Sequence, residues 1–301
     1  MTAPRPSAYL PHEAYVAPAR RSREIWRVFA GGAVIVAAYL GLFALFGAFL
    51  VQSYGQLIAG AILHRIARGD TPGAMILLLW TFAALAAGPV IAARLVHRRA
   101  AGTLFGPSPR RAVADFAIVA LPLVGLQAAL LPLVLGSGDA RPGLAFGAFL
   151  GYLPFALPGI LIQTGAEELV FRGYLQQQLA ARFRHPAIWM SLPAAAFALG
   201  HYLPADYGAN AWAIALWAGV FGLLAADLTA RTGSLGAALG FHFSNNVAAL
   251  LFVGVENQLD GLALWTLPVD FSDPEAIGPV LAVDFAMMVI SWLLARVVLR
   301  V

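Results

Sequence analysis

Eight apolar runs divide this chain, at roughly 28–51, 73–96, 112–135, 144–163, 186–202, 209–230, 234–254 and 279–299. A helix needs about 20 predominantly apolar residues to cross a bilayer, and all but the short 186–202 run approach or exceed that length. The composition agrees, with 60% hydrophobic and only 11% charged residues, where a soluble domain carries about 25% charged residues. The fold class is therefore all-α, a polytopic membrane protein of about eight transmembrane helices. No cysteine is present, which removes disulfides and thiolate chemistry.

All 19 basic residues are arginine, and the net charge is +4. Their placement reads as topology rather than as affinity for nucleic acid. Arg20, Arg21, Arg23 and Arg27 precede the first run, and Arg94, Arg98, Arg99, Arg110 and Arg111 lie between the second and third. Arg182 and Arg184 follow the fourth run, Arg231 the sixth, and Arg296 and Arg300 the eighth. With eight crossings these segments share one side, and the positive-inside rule makes it the cytoplasm, so both termini are expected inside. The opposite loops include an acidic segment with Glu256, Asp260, Asp270, Asp273 and Glu275. Residues 1–24 read as a cytoplasmic polar tail, and 25–301 as a single transmembrane domain with the chemistry-bearing motifs at about 150–250.

A charge at the bilayer centre costs about 2.5–3.5 kcal/mol on insertion scales and is a functional candidate by default. Asp115, Glu167, Glu168, Arg172, Asp227 and Asp284 are the candidates. Asp227 precedes Arg231 by four residues, which an i,i+4 pair explains, and Asp284 could approach that group. In "TGAEELVFRG" (164–173) Glu168 and Arg172 share a helix face and can offset each other's burial, while Glu167 points about 100° away. Glu167 is left without a local partner. "FALGH" (197–201) sets Phe197 and His201 at i,i+4, and "HFSNN" (242–246) does the same for His242 and Asn246. At about 1.5 Å rise per residue, Glu167, His201, His242 and Asn246 come out at similar depth, roughly 15–22 Å from the arginine-bearing side.

The stretch 144–183 would be about 60 Å long as one straight helix, twice the hydrocarbon thickness. Pro154, Pro158 and Gly159 suggest a break or kink there, leaving a tilted or partly re-entrant piece at 144–160 and a catalytic helix at 161–183.

A carboxylate and a histidine can hold a water and remove its proton. A second histidine and an asparagine can donate to the oxyanion of a tetrahedral intermediate. That set suffices for amide hydrolysis, with Glu167 as base, His201 holding water, His242 and Asn246 at the oxyanion, and Glu168–Arg172 as anchor. Alternatively Glu167, His201 and His242 could ligate zinc with water in the fourth position. A non-enzymatic reading also stands: a membrane immunity or scaffold protein, or a small transporter using these residues as a proton relay.

"EELVFR", "FALGH" and "HFSNN" resemble, in order, the EExxxR, FxxxH and HxxxN motifs of the CPBP or type II CAAX prenyl protease family, also called the abortive-infection family. The resemblance covers about 150–250. It implies an eight-helix membrane fold with a cavity open to the cytoplasm, a catalytic glutamate at Glu167, its companion pair at Glu168 and Arg172, and His201, His242 and Asn246 as the other site residues. Eukaryotic and archaeal-type members remove the last three residues of prenylated CAAX proteins, and bacterial relatives are linked to peptide processing or bacteriocin self-immunity. The expected partners are membrane lipid and a peptide or membrane-protein substrate, lipidated chains included. The arginine-only basic set points to a bacterial cytoplasmic membrane.

Overall fold

The computed structural model describes residues 7–301. A short N-terminal helix, α1 (Leu10–Val16), and a 3-10 turn, Ala17–Ser22, lead into α2 (Ile25–Tyr54). Then follow α3 (Gln56–Arg68), α4 (Pro72–Thr81), α5 (Ala83–Leu95) and α6 (Pro109–Gly136). The second half holds α7 (Phe146–Glu168), a π-helical segment (Leu169–Gln176), α8 (Gln177–Arg182), α9 (Pro186–Gly200) and α10 (Pro204–Tyr207). It closes with α11 (Ala211–Thr232), α12 (Leu235–Val247), a second π segment (Ala248–Phe252) and α13 (Pro274–Leu299). Among the described residues seven helical stretches are long and apolar enough to cross a membrane, and Pro186–Gly200 is a shorter apolar helix. The chain is an all-α integral membrane protein. A small sheet pairs Trp265–Leu267 with Arg141–Pro142 and with Val253–Val255.

The loops gather at two opposite ends. At one end Tyr9 donates to Asp227, Gln177 donates to the carbonyls of Tyr15 and Thr103, and Trp292 donates to Asp227. The arginine-bearing connections therefore meet there, with α1 and the last turns of α13. At the other end Arg141 pairs with Glu256 at 3.0 Å, Gly261 N–H donates to Gly69, and Asn210 donates to Phe271. The amphipathic α3 lies at this second end, between α2 and α4, as an element that the apolar runs did not reveal.

One expectation is corrected. No break separates 144–160 from 161–183: α7 runs unbroken through Pro154 and Pro158, within a helical stretch from Phe146 to Arg182. A proline in lipid loses one intrahelical bond, but neighbouring packing keeps the helix going where no water competes for the freed carbonyl. The departure from α geometry comes later, at Leu169–Gln176, directly after the two glutamates. Of the expected polar tail, residues 1–6 lie outside the described residues; Tyr15, Val16 and Ala19 are fully buried, and Tyr15 and Val16 pack with Leu179, Trp189 and Ala230.

Among the charges in the spans, Asp227 and Arg231 form the expected i,i+4 pair, Nε to carboxylate at 2.8 Å. Tyr9, Trp292 and Arg231 complete the shell of Asp227, and Asp284 is not part of it. Asp115 pairs with Arg111 at 3.6 Å.

In lipid, helices associate through close packing at small residues rather than through hydrophobicity. Gly240 of α12 illustrates it: a Cβ there would stand 2.7 Å from the Phe116 carbonyl oxygen of α6. The resulting close approach of α12 to α6 fixes the rotation of α12 and so the direction of His242 and Asn246. Behind them Phe197, Phe221, Phe241, Leu228 and Met288 form the largest buried cluster.

Candidate active site

Glu167 and Glu168 end α7, and the π segment carries Arg172. A π turn, with i→i+5 bonds, is rare and frequently marks a functional site. Glu168 is 0% exposed and Arg172 1%. Glu168 Oε1 accepts from Arg172 Nη1 at 2.8 Å, as the i,i+4 spacing requires. Arg172 Nη2 donates to the Gly222 carbonyl at 3.1 Å, and its guanidinium lies 5.0 Å from the centre of the Phe197 ring. A buried pair is tolerable only when its remaining polar atoms find partners, and these contacts supply most of them. A side chain at Gly222 would press on Ala194, so glycine lets α11 bring its carbonyl to the arginine.

The same Oε1 of Glu168 has a second neighbour that the spacing did not announce: His242 Nδ1 of α12, at 2.9 Å. Glu168 carries the arginine's counter-charge and acts as acceptor, so the imidazole proton belongs on Nδ1. That turns Nε2 toward the other glutamate, with Glu167 Oε2 3.5 Å away. Glu167 Oε2 has no hydrogen bond within the protein. The neutral imidazole thus presents a lone pair to a carboxylate oxygen, an arrangement that calls for a shared proton or an intervening water. The Glu167 side chain is 12% exposed, against none for Glu168. Of the two acids, Glu167 is the one with access. Phe221 stands edge-on to the imidazole, with ring centres 4.9 Å apart.

His201 closes α9 rather than sitting within it. Its Nδ1 donates to the Phe197 carbonyl at 2.9 Å, which leaves Nε2 as an acceptor in the neutral ring. The Phe197 ring lies tilted against it (4.4 Å) and also contacts His242 (6.0 Å), so an aromatic ring rather than a polar contact joins the two histidines. Asn246 Nδ2 donates to Gln163 Oε1 at 2.7 Å. Gln163 sits one turn before Glu167 on α7, as Asn246 sits one turn after His242 on α12. The two helices thus face each other across two rungs, Glu167 with His242 and Gln163 with Asn246. Gln163 was missed in the sequence, although a glutamine four residues before a buried acid in an apolar run was a usable signal.

The structure therefore gathers Glu167, Glu168, Arg172 and His242 in direct contact, and brings Asn246 onto the same α7 face through Gln163. His201 is joined through Phe197. Among the described residues no group of three or more His, Asp or Glu side chains is disposed to hold a metal ion. His201 gives its Nδ1–H to the Phe197 carbonyl, so Nε2 is the atom it would offer to the alternative zinc set of Glu167, His201 and His242.

Residues 147–248 match the family model described as Rce1-like, type II CAAX prenyl endopeptidase. Every residue of the three motifs lies inside that segment. The uncharacterized protein YyaK of Bacillus subtilis (strain 168) is 32% identical over 117 residues, which are 38% of this chain and 38% of that protein. The chain thus matches well under half the length of this curated relative. No solved structure matches.

Proposed function

We propose, from the premise that residues 147–248 belong to the CAAX/CPBP protease family, that this chain is an intramembrane endopeptidase that hydrolyses a peptide bond near the membrane. The observation that carries the reading is the imidazole of His242 standing between two carboxylates of unequal access, Nδ1 on Glu168 at 2.9 Å and Nε2 3.5 Å from Glu167.

In this mechanism a water binds against Glu167 with the free Nε2 of His201 as a second acceptor. Glu167 takes one proton of that water as the oxygen attacks the scissile carbonyl carbon. The carbonyl oxygen becomes an oxyanion and receives an N–H of Asn246, whose orientation Gln163 holds. His242 reaches that oxygen through the proton that Glu167 shares with its Nε2, its ring being held by Glu168 at Nδ1. Glu167 then returns its proton to the departing amine, the C–N bond breaks, and the site is restored. Arg172 keeps Glu168 in place throughout. The buried Glu168 has no access of its own, so its part is to orient.

The substrate class is a membrane-anchored peptide or membrane protein, lipidated or not. The gathering of the arginine-bearing connections at one end of the molecule supports a topology with both termini in the cytoplasm, and the reading places the chain in a bacterial cytoplasmic membrane. Comparing membrane peptides from cells carrying wild type or Glu167→Gln tests it. Peptides with new termini that depend on Glu167 are expected; a cellular phenotype fully retained by Glu167→Gln, with no such peptides, would favour the immunity, scaffold or transporter reading.

A further inference from the structure

The π segment is gripped from the side of the N-terminal stretch. Tyr15, fully buried, places its hydroxyl 2.9 Å from the Leu104 carbonyl oxygen and 3.3 Å from that of Arg172. Its own carbonyl accepts from Gln177 Nε2 at 2.6 Å, and Gln177 also donates to Thr103 at 2.9 Å. Two residues past Arg172, the Tyr174 hydroxyl donates to the Arg27 carbonyl at 3.2 Å and meets His97 Nε2 at 2.9 Å. Gln176 reaches His12 at 3.4 Å. Pro11 lies on Gly233, in the turn that opens α12, and that position (φ 65°) admits little else than glycine. Tyr9 and His12 pack on Trp189 of α9. The stretch from Tyr9 to Gly31 thus touches the ends of every helix that carries a motif.

Arg172 is held at both of its ends: its guanidinium by Glu168, and its main-chain oxygen by the longer branch of the Tyr15 hydroxyl bond that the Leu104 carbonyl shares. We propose that Tyr15 is a positioning residue for the hydrolytic site, fixing the main chain of Arg172 within the π turn and so the placement of Glu168 against His242. This rests on the hydrolytic reading above. The line of contacts is continuous, from the Tyr15 hydroxyl to the Arg172 carbonyl, from Arg172 Nη1 to Glu168 Oε1, from that oxygen to His242 Nδ1, and from His242 Nε2 toward Glu167. Burial holds the Tyr15 phenol well above its ordinary pKa, so it remains a donor at any pH the membrane meets. Tyr15 touches no reacting atom. Its removal therefore alters the chemical step rather than the capture of substrate, as a small misplacement of catalytic groups does.

The test uses the full chain in nanodiscs with histidine 15N labels, the His242 resonances being assigned from their loss in His242→Gln. Tyr15→Phe is expected to shift both His242 nitrogen resonances and to lower kcat on a membrane-anchored reporter peptide about tenfold, with KM within about twofold. Tyr9→Phe, which loosens the same stretch at Asp227 without touching Arg172, is expected to leave both readouts unchanged. If Tyr15→Phe folds poorly, Gln177→Leu removes the tether on the Tyr15 carbonyl and is expected to move His242 in the same way. Unmoved His242 resonances in these variants would overturn the proposal, as would a loss of kcat equal to that of Tyr9→Phe. If wild type cleaves no peptide, the hydrolytic reading falls, and the resonances alone decide whether Tyr15 sets His242.

Discussion

His242 Nδ1 lies 2.9 Å from Oε1 of Glu168, on the same oxygen that receives Arg172. One carboxylate oxygen thus settles both the burial of an arginine and the orientation of a histidine. The two adjacent glutamates divide the work accordingly: Glu168 is sealed within the protein while the Glu167 side chain is partly exposed, and each keeps its Oε2 without a hydrogen bond.

The Glu168–Arg172 pair predicts an asymmetry in stability. Glu168→Gln leaves a guanidinium buried without its counter-charge, a loss of about 3–5 kcal/mol for pairs of this kind. The double variant Glu168→Leu/Arg172→Met removes both charges and is expected to recover most of that loss. Unfolding of the two proteins in detergent checks it; a double variant as unstable as the sum of two single ones would contradict it.

This pair was legible in the sequence because i,i+4 is a local rule and both residues lie on one helix. The apolar runs were equally legible, since lipid demands length and hydrophobicity of each span separately. What could not be read was the phase between helices. In a span that is apolar all round, no periodic stripe marks the inward face, so the contact of His242 with Glu168 depends on how the small residues of α12 seat it on α6 and α7. The π turn has no composition of its own, and Pro154 and Pro158 drew attention to the wrong part of that helix. The N-terminal stretch fills its site through hydroxyl and amide contacts, as between Tyr15 and Gln177 of α8, and polarity alone reads as a surface tail.

Asn246→Ala is expected to lower kcat about 10²–10³-fold, the usual loss for one oxyanion donor. Gln163→Leu acts through Asn246 and is expected to lower it about tenfold. Because the two side chains share one hydrogen bond of 2.7 Å, the double variant should be little worse than Asn246→Ala alone. Strictly additive effects in a double-mutant cycle would place Gln163 outside the site.

His97 lies beyond the spans and bridges the Ser22 hydroxyl and the Tyr174 hydroxyl, each at 2.9 Å. Burial, with the charges of Arg99 and Arg27, pushes its imidazole down from 6.5 to about 4. The folded protein therefore holds it neutral while the unfolded chain takes up a proton below 6.5. Its contribution to stability is complete above that pH and is lost progressively as the pH falls toward 4. Melting curves across this window should show a drop in Tm that a His97→Gln variant lacks; an equal drop in both would locate the acid sensitivity elsewhere.

The most direct test of the hydrolytic site is reconstitution. Purified wild type and Glu167→Gln, each in liposomes with membrane-anchored reporter peptides bearing or lacking a prenyl group, would be analysed for new peptide termini by mass spectrometry. Glu167 has no part in the buried ion pair, so the Glu167→Gln protein should keep its Tm while its cleavage rate falls at least about 10²-fold, the scale of general-base catalysis. A new terminus that appears with wild type and vanishes with Glu167→Gln is the predicted result. Equal cleavage by the two proteins would contradict the assignment of Glu167 as the base.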